Sequence, residues 1–282
     1  MSDRAANLVV NADDLGFTPG VNRGIFECAA AGTVTSASVM VNTPGFDDAM
    51  DGARHVKLGL GLHLNLIDGE PLTGASSLRD PATGGFWTFK KFLARASTGS
   101  VRAADIEAEA GAQLARLRAA TGLVPTHIDS HRHTHVHPVA WPAVLAAARA
   151  AGVRVVRVPR EPLATNAGRA RATLSKVLLG VAMTGGASPR SAAKAGFDCA
   201  DHFVGISAQG SASFEDDVIG VLAGLKPGVT EFMAHPGYVD DALRTRDGYL
   251  LEREAEVRAL TGARVREAMR VLDARLVSFG GL

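Results

Sequence analysis

Cysteine is nearly absent from this sequence. The two that occur, Cys28 and Cys199, are too few for a disulfide framework and lack the C-x-x-C spacing of a zinc or redox motif. They read as buried, reduced thiols of a reducing compartment. Aromatic residues make up only 5% of the chain, which argues against a platform for stacking nucleic-acid bases. Neither sign of charge is in excess: 30 basic residues face 29 acidic ones, so neither nucleic acid nor an anionic membrane is an expected partner. No long hydrophobic run occurs, and the longest, around Lys176–Thr184, is about half of what a bilayer span requires. The opening MSDRAANLVVNADD has no apolar stretch ahead of its acids, so no signal peptide is read and a cytoplasmic location is expected. No internal repeat and no compositional break divides the chain.

What is present is apolar material for a sizeable core, 46% of 282 residues. Short β-branched runs alternate with longer Ala-rich helical patterns, the mark of βα units around a largely parallel sheet. Strands are expected at Leu8–Val10, Ser36–Val41, Leu58–Leu64, Thr126–Ser130, Val153–Val158, His202–Ile206, Val229–Ala234 and Leu276–Phe279. Helices are expected at Gly20–Ala31, Pro44–Ala53, Arg102–Ala120, Trp141–Ala151, Leu174–Met183, 213–224 and 252–273. The fold class is α/β: an irregular or incomplete (β/α) barrel forming a single domain over residues 1–282, with loop insertions near 68–100 and 163–200. In such sheets ligands collect at the C-terminal ends of the strands.

Four motifs fall at those ends. Asp13-Asp14 closes the first strand; an Asp there also caps turns and helices, but two adjacent carboxylates repel unless a cation lies between them. His63 follows Gly59 and Gly61, which weaken a strand and permit close backbone approach, although a lone His also serves as a satisfied core residue. The segment 127–137 holds five of the nine histidines, all at odd positions. In an extended backbone His127, Asp129, His131 and His133 would share one face. Imidazole suits Zn, Fe, Ni and Cu, and a ligating His usually donates its other N–H to a carboxylate, a part that Asp129 could play. His235 precedes Pro-Gly, where a plain turn is the alternative. Arg157 and Glu161 also lie at a strand end; Arg157 could orient a carboxylate through two hydrogen bonds or form an ordinary ion pair. An Asp and two His from separate strands would leave open positions on a divalent ion, as catalytic sites require. Asp13 would then take a proton from water and His235 would protonate a leaving amine, which points to hydrolysis of an amide or ester.

N-A-D-D at 11–14, G-L-H-L-N at 61–65, T-H-I-D-S-H at 126–131 and A-H-P-G at 234–237 resemble the YdjC/ChbG-like carbohydrate deacetylases. The likeness runs from the first strand to about residue 250. It implies an irregular (β/α) barrel and removal of acetyl groups from N-acetylglucosamine-containing sugars such as chito-oligosaccharides. It also implies one divalent ion, Mg or Zn, held by Asp14, His63 and His131, with Asp13 as the base. Homodimers are often found in that family, and the resemblance extends that expectation here. His127, Asp129, His133 and Arg157 are expected behind the ligands or facing the substrate, with Phe86, Trp87 and Phe89 as candidates to stack on a sugar.

Three other readings compete. A related group of hopanoid-associated deacetylases shares the Asp pair and the histidines, and would act on a lipid-linked sugar. A metal-dependent phosphoesterase is a second, although two acids at the end of the first strand disfavour a phosphate beside them. A metal-binding protein without enzymatic activity, using the 127–137 histidines alone, is the third.

Overall fold

The computed structural model describes residues 5–161, 186–272 and 274–282. Strand β1 (Ala6–Leu15) is central, followed by α1 (Pro19–Ala30), β2 (Ser36–Val39), α2 (Phe46–Ala53), β3 (Gly59–Leu64), α3 (Phe89–Ser97) and α4 (Ala103–Thr121). Next come β4 (Ile128–Ser130), a tight helical turn at His131–Val136, α5 (Ala140–Ala150), α6 (Pro189–Lys194), β5 (His202–Val204) and α7 (Phe214–Ala223). The chain ends with β6 (Gly228–Ala234), α8 (Asp241–Arg244), α9 (Leu251–Thr261), α10 (Ala263–Arg270) and β7 (Arg275–Leu276). The sheet order is β4-β3-β2-β1-β6-β5, every pairing is parallel, and β7 pairs with β1. Single parallel bridges extend it past β4, from Ile128 to Val156 and from Val155 to Asp198. Asp198 thus pairs at one edge while His202, four residues on, pairs at the other. The sheet curls into an incomplete (β/α) barrel. No helix among the described residues is long and apolar enough to cross a membrane.

Strand alternation decides which residues enter the barrel. Leu8, Val10 and Ala12 of β1 belong to the large core that the sheet shares with the helices. Val9, on the opposite face, joins Val155 and Phe279 in a small separate cluster with Val229 and Val277 packed against it, an apolar plug at the lower end of the barrel. Asn11 and Asp13 follow Val9 on the inner face. The inner positions of β3 are Gly59, Gly61 and His63, and Gly61 leaves room for a buried imidazole: a Cβ there would lie 2.3 Å from the His127 ring. That ring stacks on Phe279 at 4.2 Å between centroids.

Several elements depart from the sequence expectation. Val153–Val158 contributes only bridges at Val155 and Val156, because its partner on the far side is the irregular stretch around Asp198. The helix expected at 252–273 is two helices, α9 and α10, meeting at Gly262, whose extended φ of −65° and ψ of 151° break the spiral. Part of the 68–100 insertion is helical, as α3. The helix expected at Leu174–Met183 lies outside the described residues, as does most of the 163–200 insertion. The extended face expected for 127–133 ends at Ser130; from His131 the chain coils, with Arg132 and His133 in left-handed conformations.

Gly61→Ala is expected to lower stability by about 1–3 kcal/mol through overpacking against His127. Gly111→Ala, in α4 with nothing within 4 Å of the added Cβ, should raise it by roughly 0.5–1 kcal/mol. Urea unfolding of the two variants checks the pair; equal midpoints would remove the close-approach account of Gly61.

Candidate active site

A regular strand would send the side chains of Asp13 and Asp14 to opposite faces. Here the β1–β2 register slips between Ala12 and Leu15, and Asp14 takes a φ of 71°. This bulge turns the second carboxylate to the same cavity as the first. Asp tolerates the left-handed region better than most residues, so the bulge needs no glycine. The non-glycine residues with positive φ among those described are Asp14, Arg132 and His133, and all three line the same cavity of about 340 Å³. Strain of this kind concentrates where function over-determines the backbone.

Two imidazoles converge on Asp14. Its Oδ1 lies 2.9 Å from His131 Nδ1 and 3.2 Å from His63 Nε2. Its Oδ2 accepts a 2.7 Å bond from an Arg253 terminal nitrogen, which also reaches Asp247 at 2.8 Å. On its other edge His63 Nδ1 meets Asp129 Oδ1 at 2.8 Å. That bond puts a proton on Nδ1 and turns Nε2 toward Asp14, the orientation of a ligating histidine. The ligand atoms of Asp14, His63 and His131 lie within 4.8 Å of one another, and so do those of Asp13, His63 and Asp129.

Asp13 is gripped by Arg157 through two bonds of 2.6 Å, one to each oxygen, and its Oδ1 also accepts from Asn11. The same guanidinium lies 2.7 Å from Asp129 Oδ2 and donates through Nε to Glu231 at 2.7 Å. Asp129 Oδ2 further accepts from the Ser38 hydroxyl at 2.6 Å. His235, at the end of β6, brings Nε2 to 3.9 Å from Asp13 Oδ2, and its backbone N–H donates to Glu256 at 2.5 Å. Glu256 also accepts from the hydroxyl of Tyr249, a wall of the cavity.

Electrostatics follow from this burial. Desolvation pushes the Asp13 carboxyl up, but the charges of Arg157 and His63 and the Arg157 hydrogen bonds together hold the group below its ordinary value. Asp14 is likewise raised by burial and then pulled well below by His131 and Arg253. Asp129 and Asp247 are also held low, chiefly by Arg157 and Arg253 against burial. Burial opposes a charge on His63, yet Asp129 and Asp13 drive it up to about 10. His127, His133, His135 and His235 go the other way, to about 4, 3, 4 and 4, because burial favours the neutral ring. Burial lifts Glu231 to about 7, with Arg157 offsetting only part of it.

The sequence-predicted residues therefore separate by depth. Asp13, Asp14, His63, His131, His133 and His235 line the cavity. Asp129 and Arg157 lie directly beneath, with exposures of 0% and 1%. His127 is deeper still, bonded to Ser38 and Thr126. Of the aromatics, Phe89 reaches the cavity; Phe86 is buried, and Trp87 lies under Arg95 with its indole N–H on Ser77. Arg253, Asp247 and Tyr249 were not singled out in the sequence. One signal existed for Arg253: with Glu256, Val257 and Leu260 it occupies the i, i+3, i+4, i+7 stripe of α9, and two charged groups on a buried stripe call for partners.

Comparison with known proteins places this geometry. Residues 7–271 match the family described as YdjC-like protein. A Brevibacillus brevis protein named carbohydrate deacetylase is 36% identical over 280 residues, 98% of this chain and 99% of that one. A human protein of the same name is 35% identical over 250 residues, covering 84% of this chain and 77% of its own, and one from Geobacillus stearothermophilus is 32% identical over 273 residues, 96% of each. A solved structure from Enterococcus faecalis, described as a candidate cellobiose-phosphate cleavage protein, superposes with a TM-score of 0.75 at 26% identity over 98% of each chain. With nearly its whole length matched, the chain belongs to the YdjC-like family.

Proposed function

We propose that this chain is a carbohydrate deacetylase that uses one divalent ion, Mg or Zn, to hydrolyse the acetamide of an N-acetylglucosamine-containing sugar of the chito-oligosaccharide type. The observation that carries the reading is the convergence of His63 Nε2 and His131 Nδ1 on Asp14 Oδ1, beside a cavity that Asp13 and His235 also enter. The relatives named carbohydrate deacetylase support the reaction class.

The donor set fits such an ion. One carboxylate and two imidazoles leave coordination positions open, as a catalytic site requires. Four carboxylates held ionised, those of Asp13, Asp14, Asp129 and Asp247, outnumber the guanidiniums of Arg157, Arg253 and Arg132 that pair with them. The rise of His63 expresses the same deficit of positive charge. Asp14, His63 and His131 would hold the ion, which supplies Lewis-acid polarisation of the acyl oxygen and acidification of water.

The chain's own groups do the rest. Arg157 fixes both oxygens of Asp13, so the carboxylate stays ionised and pre-aimed at the cavity, where it accepts a proton from water. The same grip makes Asp13 a weak base. His235 is neutral at rest and begins without the proton that the leaving amine needs. Its Nε2, 3.9 Å from Asp13 Oδ2, is placed to receive that proton from Asp13 and pass it to the departing nitrogen. The cavity, about 340 Å³, is near the lower end of the roughly 300–1,000 Å³ usual for small-molecule sites, a size for one sugar ring and its acetamide. Phe89 and Tyr249 are the aromatic side chains on its walls, with Arg132 and Arg253 over their rings.

Acetate release from N,N'-diacetylchitobiose is expected from protein stripped with chelator and reloaded with Zn or Mg, and not from the stripped protein. Absence of acetate with either ion, together with hydrolysis of p-nitrophenyl phosphate, would move the chain to phosphoester chemistry. Acetate obtained only from a lipid-linked substrate would reassign the substrate and keep the reaction. Asp13→Asn should lower kcat by about 100- to 10,000-fold with the metal content unchanged; normal turnover in that variant would remove Asp13 from the role of base.

A further inference from the structure

The site contains two donor sets, not one. Asp14, His63 and His131 form the first; Asp13, His63 and Asp129 form the second, just as buried and just as close-knit. Each set touches a guanidinium, but in different ways: Arg253 meets the first only at Asp14 Oδ2 and leaves Oδ1 facing both imidazoles, whereas in the second the cation bridges two of the three members. One terminal nitrogen of Arg157 bridges Asp13 Oδ2 at 2.6 Å and Asp129 Oδ2 at 2.7 Å, the other takes Asp13 Oδ1 at 2.6 Å, and Nε is bound to Glu231 at 2.7 Å.

We infer that the Arg157 guanidinium is the resident second cation of this site: it fills the set formed by Asp13, His63 and Asp129 and thereby limits the chain to one divalent ion, held by Asp14, His63 and His131. The inference rests on the deacetylase reading for the role of the first set. Its physical basis is competition. Arginine stays charged at any ordinary pH and its planar fork matches carboxylate pairs. With 1% exposure, and with its backbone N–H on Ile128 O and its carbonyl accepting from His135 Nε2, Arg157 cannot swing out to make room. A second divalent ion would have to enter against that charge, and would strip a buried guanidinium of two of its three carboxylate partners. His63 reinforces the exclusion, because one ring would have to serve an ion at each nitrogen. Two-metal hydrolases place their ions about 3.5–4 Å apart; here an arginine takes one of the two positions.

Zinc content after dialysis against excess zinc, measured by elemental mass spectrometry, tests this without reference to turnover. The wild type should retain one zinc per chain. Asp14→Asn should retain none, although Asp13, His63 and Asp129 are intact. Asp14→Asn combined with Arg157→Ala should recover one, because the second set is then vacated. Two zincs in the wild type, one in Asp14→Asn, or none in a folded double variant would overturn the inference. If circular dichroism shows that the double variant does not fold, the Asp14→Asn protein decides alone: zinc-free supports the inference, one zinc overturns it. A zinc-free wild type beside a double variant that binds one would uphold the role of Arg157 and refute the first set as the metal site.

Discussion

A single buried guanidinium organises this barrel. Arg157 is almost without solvent, and a charge so placed is tolerable only when every donor has a partner. Asp13, Asp129 and Glu231 supply those partners, and each commitment fixes the next group. Asp129 holds His63 and Ser38; Ser38 reaches Asn11 and His127; Asn11 returns to Asp13. The network closes on itself, so the side chains at the mouth are aimed before any ligand arrives. Breaking a buried pair of this kind by removing one partner costs about 3–5 kcal/mol, a large part of the ~5–15 kcal/mol that usually stabilises a domain. Whatever selects Asp13 and His63 therefore also constrains residues that touch no substrate.

The interior is layered by the same logic. Below, Val9, Val155 and Phe279 form the plug that an ordinary barrel core would continue upward. In the middle, where branched aliphatics are usual, lie Asn11, Ser38, His127, Asp129, Arg157 and Glu231, all fully or almost fully buried. Gly61 admits the His127 ring to that layer. At the top the backbone itself is bent out of regular conformation at Asp14, Arg132 and His133. Each such residue costs on the order of 1–3 kcal/mol, and the bonds of Asp14 to Arg253, His63 and His131 are what hold the first of them in place. Arg253 comes from α9, almost the whole chain away, so the last helices clamp the first strand.

Much of this was legible in the sequence, for identifiable reasons. Leu8–Val10 is an aliphatic run, Leu58–Leu64 alternates Leu with Gly up to His63, and Val229–Ala234 is largely apolar around Glu231; strands buried on both faces leave such apolar stretches. Asp13-Asp14, His63, His131 and His235 stood out because polar groups ended those runs. The parity argument for 127–133 failed at His131 because it assumed extended backbone, and nothing local announces two successive left-handed residues that are not glycine. The breadth of the Arg157 network was out of reach for another reason: its partners come from β1, β4 and β6, and only the register that pairs Val9 with Glu231 sets that carboxylate beside it. Arg253 was missed although a charged residue on a buried helical stripe is a readable anomaly.

The charge balance also bears on which substrate the site suits. The carboxylates of Asp13, Asp14, Asp129 and Asp247, all held ionised, outnumber the guanidiniums of Arg157, Arg253 and Arg132 that pair with them. A neutral acetamide would enter such a site without adding charge of either sign. A phosphoryl group arrives already anionic and needs additional free cations. The two arginines lining the cavity, Arg132 and Arg253, are both engaged with Asp247, and Arg253 is committed to Asp14 as well. The remaining positive centre beneath the cavity, Arg157, is spent on the carboxylates below. On the proposed reading Arg157 does two things at once: it fixes both oxygens of Asp13, and it adds no free positive charge to the cavity above.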